Sequence, residues 1–197
     1  MKERPILFTP HNAQLVHESK KTQTRRILKS QPWEGLGRID GPAFYAPTKV
    51  NKRTGEEYPG DDVFGVYDHT GEWGCVCPFG RPGTRLWIRE AWAFPGEELH
   101  MYKGCPADAE IVEKWKQDKN APQVKWKPSL HMPRWACRTV VELVEVRVER
   151  LDKITESDSQ AEGVKSVAEF MDLWVSINKT WEPSLWVWVL TMRRVTP

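Results

Sequence analysis

Between Thr139 and Glu149, apolar and charged residues alternate. Val144, Val146 and Val148 interleave with Glu145, Arg147 and Glu149, the period of a half-buried strand with its valines inward. The phase shifts near Val141–Leu143, which predicts a bulge or a stretch buried on both faces. Leu185–Met192 is apolar on both faces and predicts a central strand. Leu86–Trp92 predicts another, with Leu86 and Ile88 alternating against Trp87 and Arg89. The run Thr22–Ile27 reads as extended, placing Thr22, Thr24 and Arg26 on one face.

The helical signals are short. Thr9-Pro10 reads as an N-cap followed by proline at the first helical position, opening a helix to about Lys20 with Ala13 and Val16 inward. Thr155-Glu-Ser-Asp158 opens a short helix that stops near Gly163. Ser166-Val-Ala-Glu169 matches a capping box, with Val167, Phe170, Trp174 and Ile177 at helical spacing behind it. Two long stretches separate these elements. The first, about 30–80, is rich in glycine, proline and aromatic residues and is too long for an idle loop. It predicts one or two short hairpins, such as Asp62–Tyr67 against Glu72–Val76. The second, 96–127, is polar and holds one helical stretch near Ala107–Lys116. The element order predicts one α+β domain over 1–197, a small, mostly antiparallel β-barrel decorated with short helices and carrying these two stretches as insertions.

Composition narrows the class. The chain has 197 residues, 40% hydrophobic and 28% charged, a globular mixture. No run approaches the roughly 20 apolar residues of a membrane span, and the opening MKERPILFTPHN has only a short apolar patch, so a soluble cytoplasmic protein without a membrane partner is expected. Lys plus Arg total 29 against 27 Asp plus Glu, a net +2 that is low for a protein held to nucleic acid by bulk electrostatics. The charge is uneven, however. Lys20, Lys21, Arg25, Arg26 and Lys29 lie within one stretch free of acids, which points to a local basic site rather than a basic surface. Of the four cysteines, Cys75-Val-Cys77 is too tight for a zinc knuckle, and Cys105 and Cys137 stand apart. Reduced thiols are expected, with a zinc site sharing His69 or His131 as the alternative. Eleven tryptophans predict large buried rings in the core and loop anchors.

Three places hold chemistry-bearing residues. Lys21-Thr-Gln-Thr24-Arg-Arg26 concentrates an amine, hydroxyls and guanidinium groups at a helix-to-strand junction. A threonine becomes a nucleophile only when a neighbour takes its proton, and a desolvated lysine can do so. The same segment also reads as a solvated basic strand or a phosphate-binding one. In Pro82-Gly83-x-x-Leu86-Trp-Ile-Arg89-Glu90, strand parity sends Arg89 and Glu90 to opposite faces, so at most one faces a pocket; an exposed ion pair at the strand end is the alternative. Glu162, in Ala161-Glu162-Gly163, is by itself an ordinary solvated glutamate at a helix end. The five histidines lack metal spacing, and no Gly-rich phosphate loop, GxSxG elbow or zinc-deaminase signature is present.

Four blocks in order resemble the ASCH superfamily. They are Lys21-x-x-Thr24-x-Arg26, then Pro82-Gly83-x-x-Leu86-Trp87-Ile88-Arg89-Glu90, then Ile154-Thr155 with Ala161-Glu162-Gly163, then Trp186-Val187-Trp188-Val189. With Arg4-Pro-Ile-Leu-Phe8 and Lys127-Pro-Ser-Leu-His131-Met-Pro-Arg134-Trp, the likeness extends over nearly the whole chain to the larger ASCH-containing proteins of phages and prophages. The resemblance implies a PUA-like β-barrel. Some small bacterial members remove the acetyl group from N4-acetylcytidine, others are described as ribonucleases, and the superfamily was considered RNA-binding. In the amidohydrolases a lysine, a threonine and a glutamate are catalytic; these fall on Lys21, Thr24 and Glu162, with Arg26 and Arg89 as substrate-binding residues. The implied partner is a modified nucleoside or nucleotide, or RNA, and no metal or cofactor is required. Both insertions are absent from the small enzymes, and Thr84 stands where those often have an acid after the glycine.

Overall fold

The computed structural model describes residues 3–36, 38–96 and 99–195. In chain order the elements are β1 (Arg4–Leu7), α1 (Pro10–His17), β2 (Gln23–Ile27), β3 (Ile39–Tyr45), β4 (Thr48–Val50), β5 (Glu57–Pro59), β6 (Val63–Asp68), β7 (Gly74–Val76), β8 (Arg85–Arg89), β9 (Trp92–Gly96) and β10 (Leu99–Tyr102). They continue with α2 (Pro106–Trp115), β11 (Val140–Arg150), α3 (Glu156–Ala161), α4 (Val167–Asn178) and β12 (Trp186–Val195), with single-turn 3-10 helices at Ser129–His131, Arg134–Ala136 and Leu151–Lys153. The fold is mixed α+β, mostly strands with few helices. No helix is long and apolar enough to cross a membrane.

The chain divides into two compact units, one of residues 1–22, 83–143 and 192–197, the other of 23–82 and 144–191. Strands β11 and β12 each contribute residues to both. In the first unit β1 runs parallel to β8, with Arg4 opposite Leu86 and Leu7 opposite Arg89, and the opening of β11 pairs antiparallel with β8. Ile6, Leu86, Ile88, Val140 and Val141 are buried here. Helix α1 is capped as its sequence predicts, the Thr9 hydroxyl accepting from the Asn12 N–H, and it buries Ala13 and Val16. It ends at His17 rather than Lys20, because Ser19 takes a left-handed conformation at φ 59°. The antiparallel pair β9–β10 stands beside a small core of Trp92, Met132 and Ala136.

In the second unit β2 pairs antiparallel with β12, Thr24 opposite Leu190 and Arg26 opposite Trp188. Val187, Trp188, Val189 and Leu190 are all buried, as a central strand requires. Leu151, Ile154, Phe170, Trp174, Val187 and Val189 form the core beneath α4. The stretch over 30–80 folds into a three-stranded sheet ordered β3-β6-β7 and a hairpin β4–β5. The expected pairing of 62–67 with 72–76 is present, with Val66 opposite Cys75 and Tyr67 opposite Gly74. Gly65 is required there, since a Cβ would collide with the backbone carbonyl of Cys75.

Three details depart from the expected pattern. The larger sheet has the order β1-β8-β11-β12-β2 and is open among the described residues, not a closed barrel. Its edge strand β1 is only four residues long and contains Pro5, which removes one donor from that edge. The strand expected over 86–92 breaks after Arg89, and β9 starts afresh at Trp92. Within β11, Val146 is buried but Val144 is exposed beside Glu145, so the alternation slips one position after the doubly buried Val140–Leu143 stretch. Most tryptophans are at least partly buried, but Trp33 and Trp135 are exposed.

Candidate functional site

Glu162 owes its position to the two ends of α3. At the N-terminus the Thr155 hydroxyl accepts from the Asp158 N–H, and the Asp158 carboxylate accepts from the Thr155 N–H, a reciprocal capping box. At the C-terminus the Gly163 N–H donates to Gln160 O (3.0 Å) and the Val164 N–H to Ser159 O (3.1 Å). That double return is a Schellman turn, and it needs a left-handed residue just past the helix; Gly163 supplies it at φ 87°. Glu162 is therefore the last residue before a forced turn, and its side chain is directed inward, 2% exposed.

Helix α3 packs against β2. Thr24 is buried at 4% exposure and Arg26 is half-buried on that strand. Burial pulls the Arg26 guanidinium below its ordinary pKa, and the negative charge of Glu162 opposes that shift. Parity alone predicts that Arg25 faces away from Thr24, but its side chain is fully buried. One terminal nitrogen donates to Gln23 Oε1 (2.8 Å) and Glu162 Oε1 (3.3 Å). The other reaches Glu149 (2.6 Å) and Asp158 (3.1 Å), and the Phe170 ring lies 5.6 Å from the guanidinium carbon. Arg147 extends the network to Asp158 at 2.7 Å and Glu149 at 3.4 Å. Burial alone would raise the Asp158 carboxyl pKa, but hydrogen bonds from the Thr155 backbone and hydroxyl and the charges of Arg25 and Arg147 outweigh it and bring it down to about 2.

Lys21 and Arg89 belong to the first unit. Lys21 follows the turn after α1, its N–H donating to Leu15 O at 3.1 Å, and its side chain is buried at 3% exposure. It is the only buried lysine among the described residues. The guanidinium of Arg89 lies 5.3 Å from the Trp87 ring, and its Nε is buried with no hydrogen-bond partner. Glu90 does not pair with Arg89. Its carboxylate takes both ends of the Arg138 fork at 2.9 Å, and its N–H donates to the Met132 sulfur at 3.3 Å. Drawn inward in this way, Glu90 ends β8, and the exposed ion pair weighed from sequence does not form.

Thr24, Arg26 and Glu162 thus fall in the second unit, with Arg25 bonded to Glu162 and adjacent in the chain to both Thr24 and Arg26. The Arg25–Arg147 carboxylate network was not anticipated. Its signal was the alternation of Glu145, Arg147 and Glu149 on one face of β11, which reads from sequence as a solvated stripe. The basic run is also less basic than it reads: Lys21 and Arg25 are buried, and Lys20 pairs with Glu18 at 2.6 Å. None of the four cysteines is in a disulfide, and among the described residues no three His, Cys, Asp or Glu side chains converge on a metal position. Compared with protein-family models, with curated proteins and with solved structures, the chain has no match in any of the three.

Proposed function

We propose that this protein is an amidohydrolase of the ASCH type, with a PUA-like fold, acting on an N4-acylated cytosine nucleoside or nucleotide. Lys21 is the base, Thr24 the attacking hydroxyl or the group that orients an attacking water, and Glu162 orients Lys21 or protonates the leaving cytosine nitrogen; where Thr24 attacks, the acyl group passes to its oxygen and water later releases it as the carboxylic acid. Arg26 and Arg89 contact the substrate, and Arg26 or a backbone amide stabilises the oxyanion, a contribution commonly about 3–4 kcal/mol per donor.

The observation that supports this reading is burial. Lys21, Thr24 and Glu162 are 3%, 4% and 2% exposed, although none is a residue type that folding alone drives inward. Lysine and glutamate are seldom fully buried unless paired, and Glu162 is paired with Arg25 at 3.3 Å; a buried amine beside a hydroxyl is what the base role requires. The buried Arg89 Nε without a partner is a donor available to a ligand. The rival reading is a module that binds RNA or a nucleotide without catalysis, for which the basic run would supply phosphate contacts. That run has Lys21 and Arg25 turned inward and Lys20 paired, so it offers few charges to a backbone.

The test is N4-acetylcytidine hydrolysis, followed by the cytidine absorbance change, for wild type and for Lys21→Ala, Thr24→Ala and Glu162→Ala. The expected result is turnover in the wild type and a loss of about 10²-fold or more in each variant. Folded variants that retain wild-type rates would overturn these assignments. A silent wild type with RNA affinity falling steeply with salt would favour the binding module.

A further inference from the structure

The stretch over 30–80 is more than a connection. Its sheet β3-β6-β7 and the loop from Asp68 to Gly74 surround a cavity of about 550 Å³, within the roughly 300–1,000 Å³ of small-molecule sites. Every lining residue lies in the second unit. One wall is aromatic: the rings of Tyr45 and Tyr67 pack against each other, 4.9 Å apart and inclined at 32°. Gly74 makes that arrangement possible, because a Cβ there would lie 2.6 Å from the Tyr45 hydroxyl. Trp73 also lines the cavity, buried and anchored by its Nε1–H to Ser30 Oγ at 3.2 Å.

The charge lining this cavity is one-sided. Asp68 is 2% exposed, and neutral donors hold it in place. Its Oδ1 accepts from the Trp73 N–H at 2.7 Å, and its Oδ2 accepts from the Thr70 N–H at 3.0 Å and from the Thr70 hydroxyl. Glu72 adds a second carboxylate, whereas no lysine or arginine lines the cavity. An anionic ligand would find its backbone donors already committed to Asp68 and no cation to pair with. A cation would meet the exposed Glu72 carboxylate and the outer face of the stacked phenol rings, with the buried charge of Asp68 behind them, the combination that recognises ammonium groups.

We propose that this cavity binds a small organic cation, an ammonium or guanidinium group seated against the outer face of the Tyr45–Tyr67 stack and balanced by Glu72, with the field of the buried Asp68 adding to it. The proposal is independent of the amidohydrolase reading. Titration calorimetry on the 197-residue chain, with tetramethylammonium, benzyltrimethylammonium and agmatine as probes and neopentyl alcohol as a neutral, similarly branched comparison for the first, provides the test. At least one cation is expected to bind saturably, about tenfold or more tighter than the neutral probe. Tyr67→Leu is expected to weaken binding about tenfold and Tyr67→Phe to preserve it, since the ring face and not the hydroxyl makes the contact. Glu72→Gln, at an exposed position that leaves the fold intact, is expected to weaken it several-fold. Failure of all three cations to bind, equal binding of neopentyl alcohol, or undiminished binding by a Tyr67→Leu protein with native near-ultraviolet dichroism would overturn the proposal.

Discussion

Arg25 shows how little of a residue's role its spacing reveals. It stands in a basic run on a short strand, where a solvent-facing charge is the natural expectation, yet it is the shared counter-ion of Glu149, Asp158 and Glu162. Removing it takes the shared guanidinium from all three carboxylates, of which Arg147 still holds Glu149 and Asp158. Arg25→Ala should therefore cost about 3–5 kcal/mol in urea unfolding, and a cost below about 1 kcal/mol would show that solvent already screens the network. Asp158 gives the same network a pH signature. Its folded pKa, about 2, lies below the ordinary carboxylate value of 3.8, so it contributes stability above pH 3.8 that is lost as pH falls toward 2. The Asp158→Asn protein should be less stable than wild type at neutral pH and should lose less stability across that acid window; parallel pH curves would contradict this. At this scale the sequence indicated which residue types carry chemistry, while their pairings were hidden, because Arg25 meets Glu149 and Glu162 only after long excursions of the chain.

Elements were more legible than residues, and most legible where a local rule acts. Thr155 and Gly163 bound α3 by capping chemistry that lies within a few residues, so the helix was readable in full. The second capping signal was half right: Ser166 accepts from the Glu169 N–H, but the Glu169 carboxylate accepts from the Lys165 N–H instead of closing the box at Ser166. Where a tertiary partner intervenes, pattern reading failed. The strand over 86–92 breaks because Arg138 draws in Glu90, and β11 slips phase at Val144. The insertion over 30–80 yields five strands where one or two hairpins were expected, since short exposed strands such as β4 and β5 have no apolar alternation to announce them. The ends of α3 give a paired prediction. Thr155→Ala should cost about 1 kcal/mol of stability through the lost cap. Gly163→Ala should cost a similar amount, about 1 kcal/mol, through the left-handed backbone, and should in addition lower turnover, because Glu162 adjoins that turn. If Thr155→Ala and Gly163→Ala reduced turnover equally at matched stability, the turn would have no special part in placing Glu162.

For the whole molecule, two compact units emerge from one chain whose segments alternate between them, the first built from three stretches and the second from two. That division was not legible, because no composition shift marks it: both β11 and β12 cross the boundary within a strand. Neither unit is a continuous piece of sequence, so a single cut cannot release either intact. Fragments 1–82 and 83–197 should each lack dispersed amide resonances in NMR spectra; native-like dispersion from either one alone would contradict the division.

If Lys21, Thr24 and Glu162 hydrolyse an N4-acyl cytosine, both products of that reaction must accumulate. The purified 197-residue protein is incubated with N4-acetylcytidine, and cytidine and acetate are quantified over time against a Lys21→Ala control. Catalytic release of both products in equal amounts is expected, many turnovers per protein molecule, with the control reduced to the uncatalysed background. A folded wild-type protein that releases neither product above background would contradict the amidohydrolase reading.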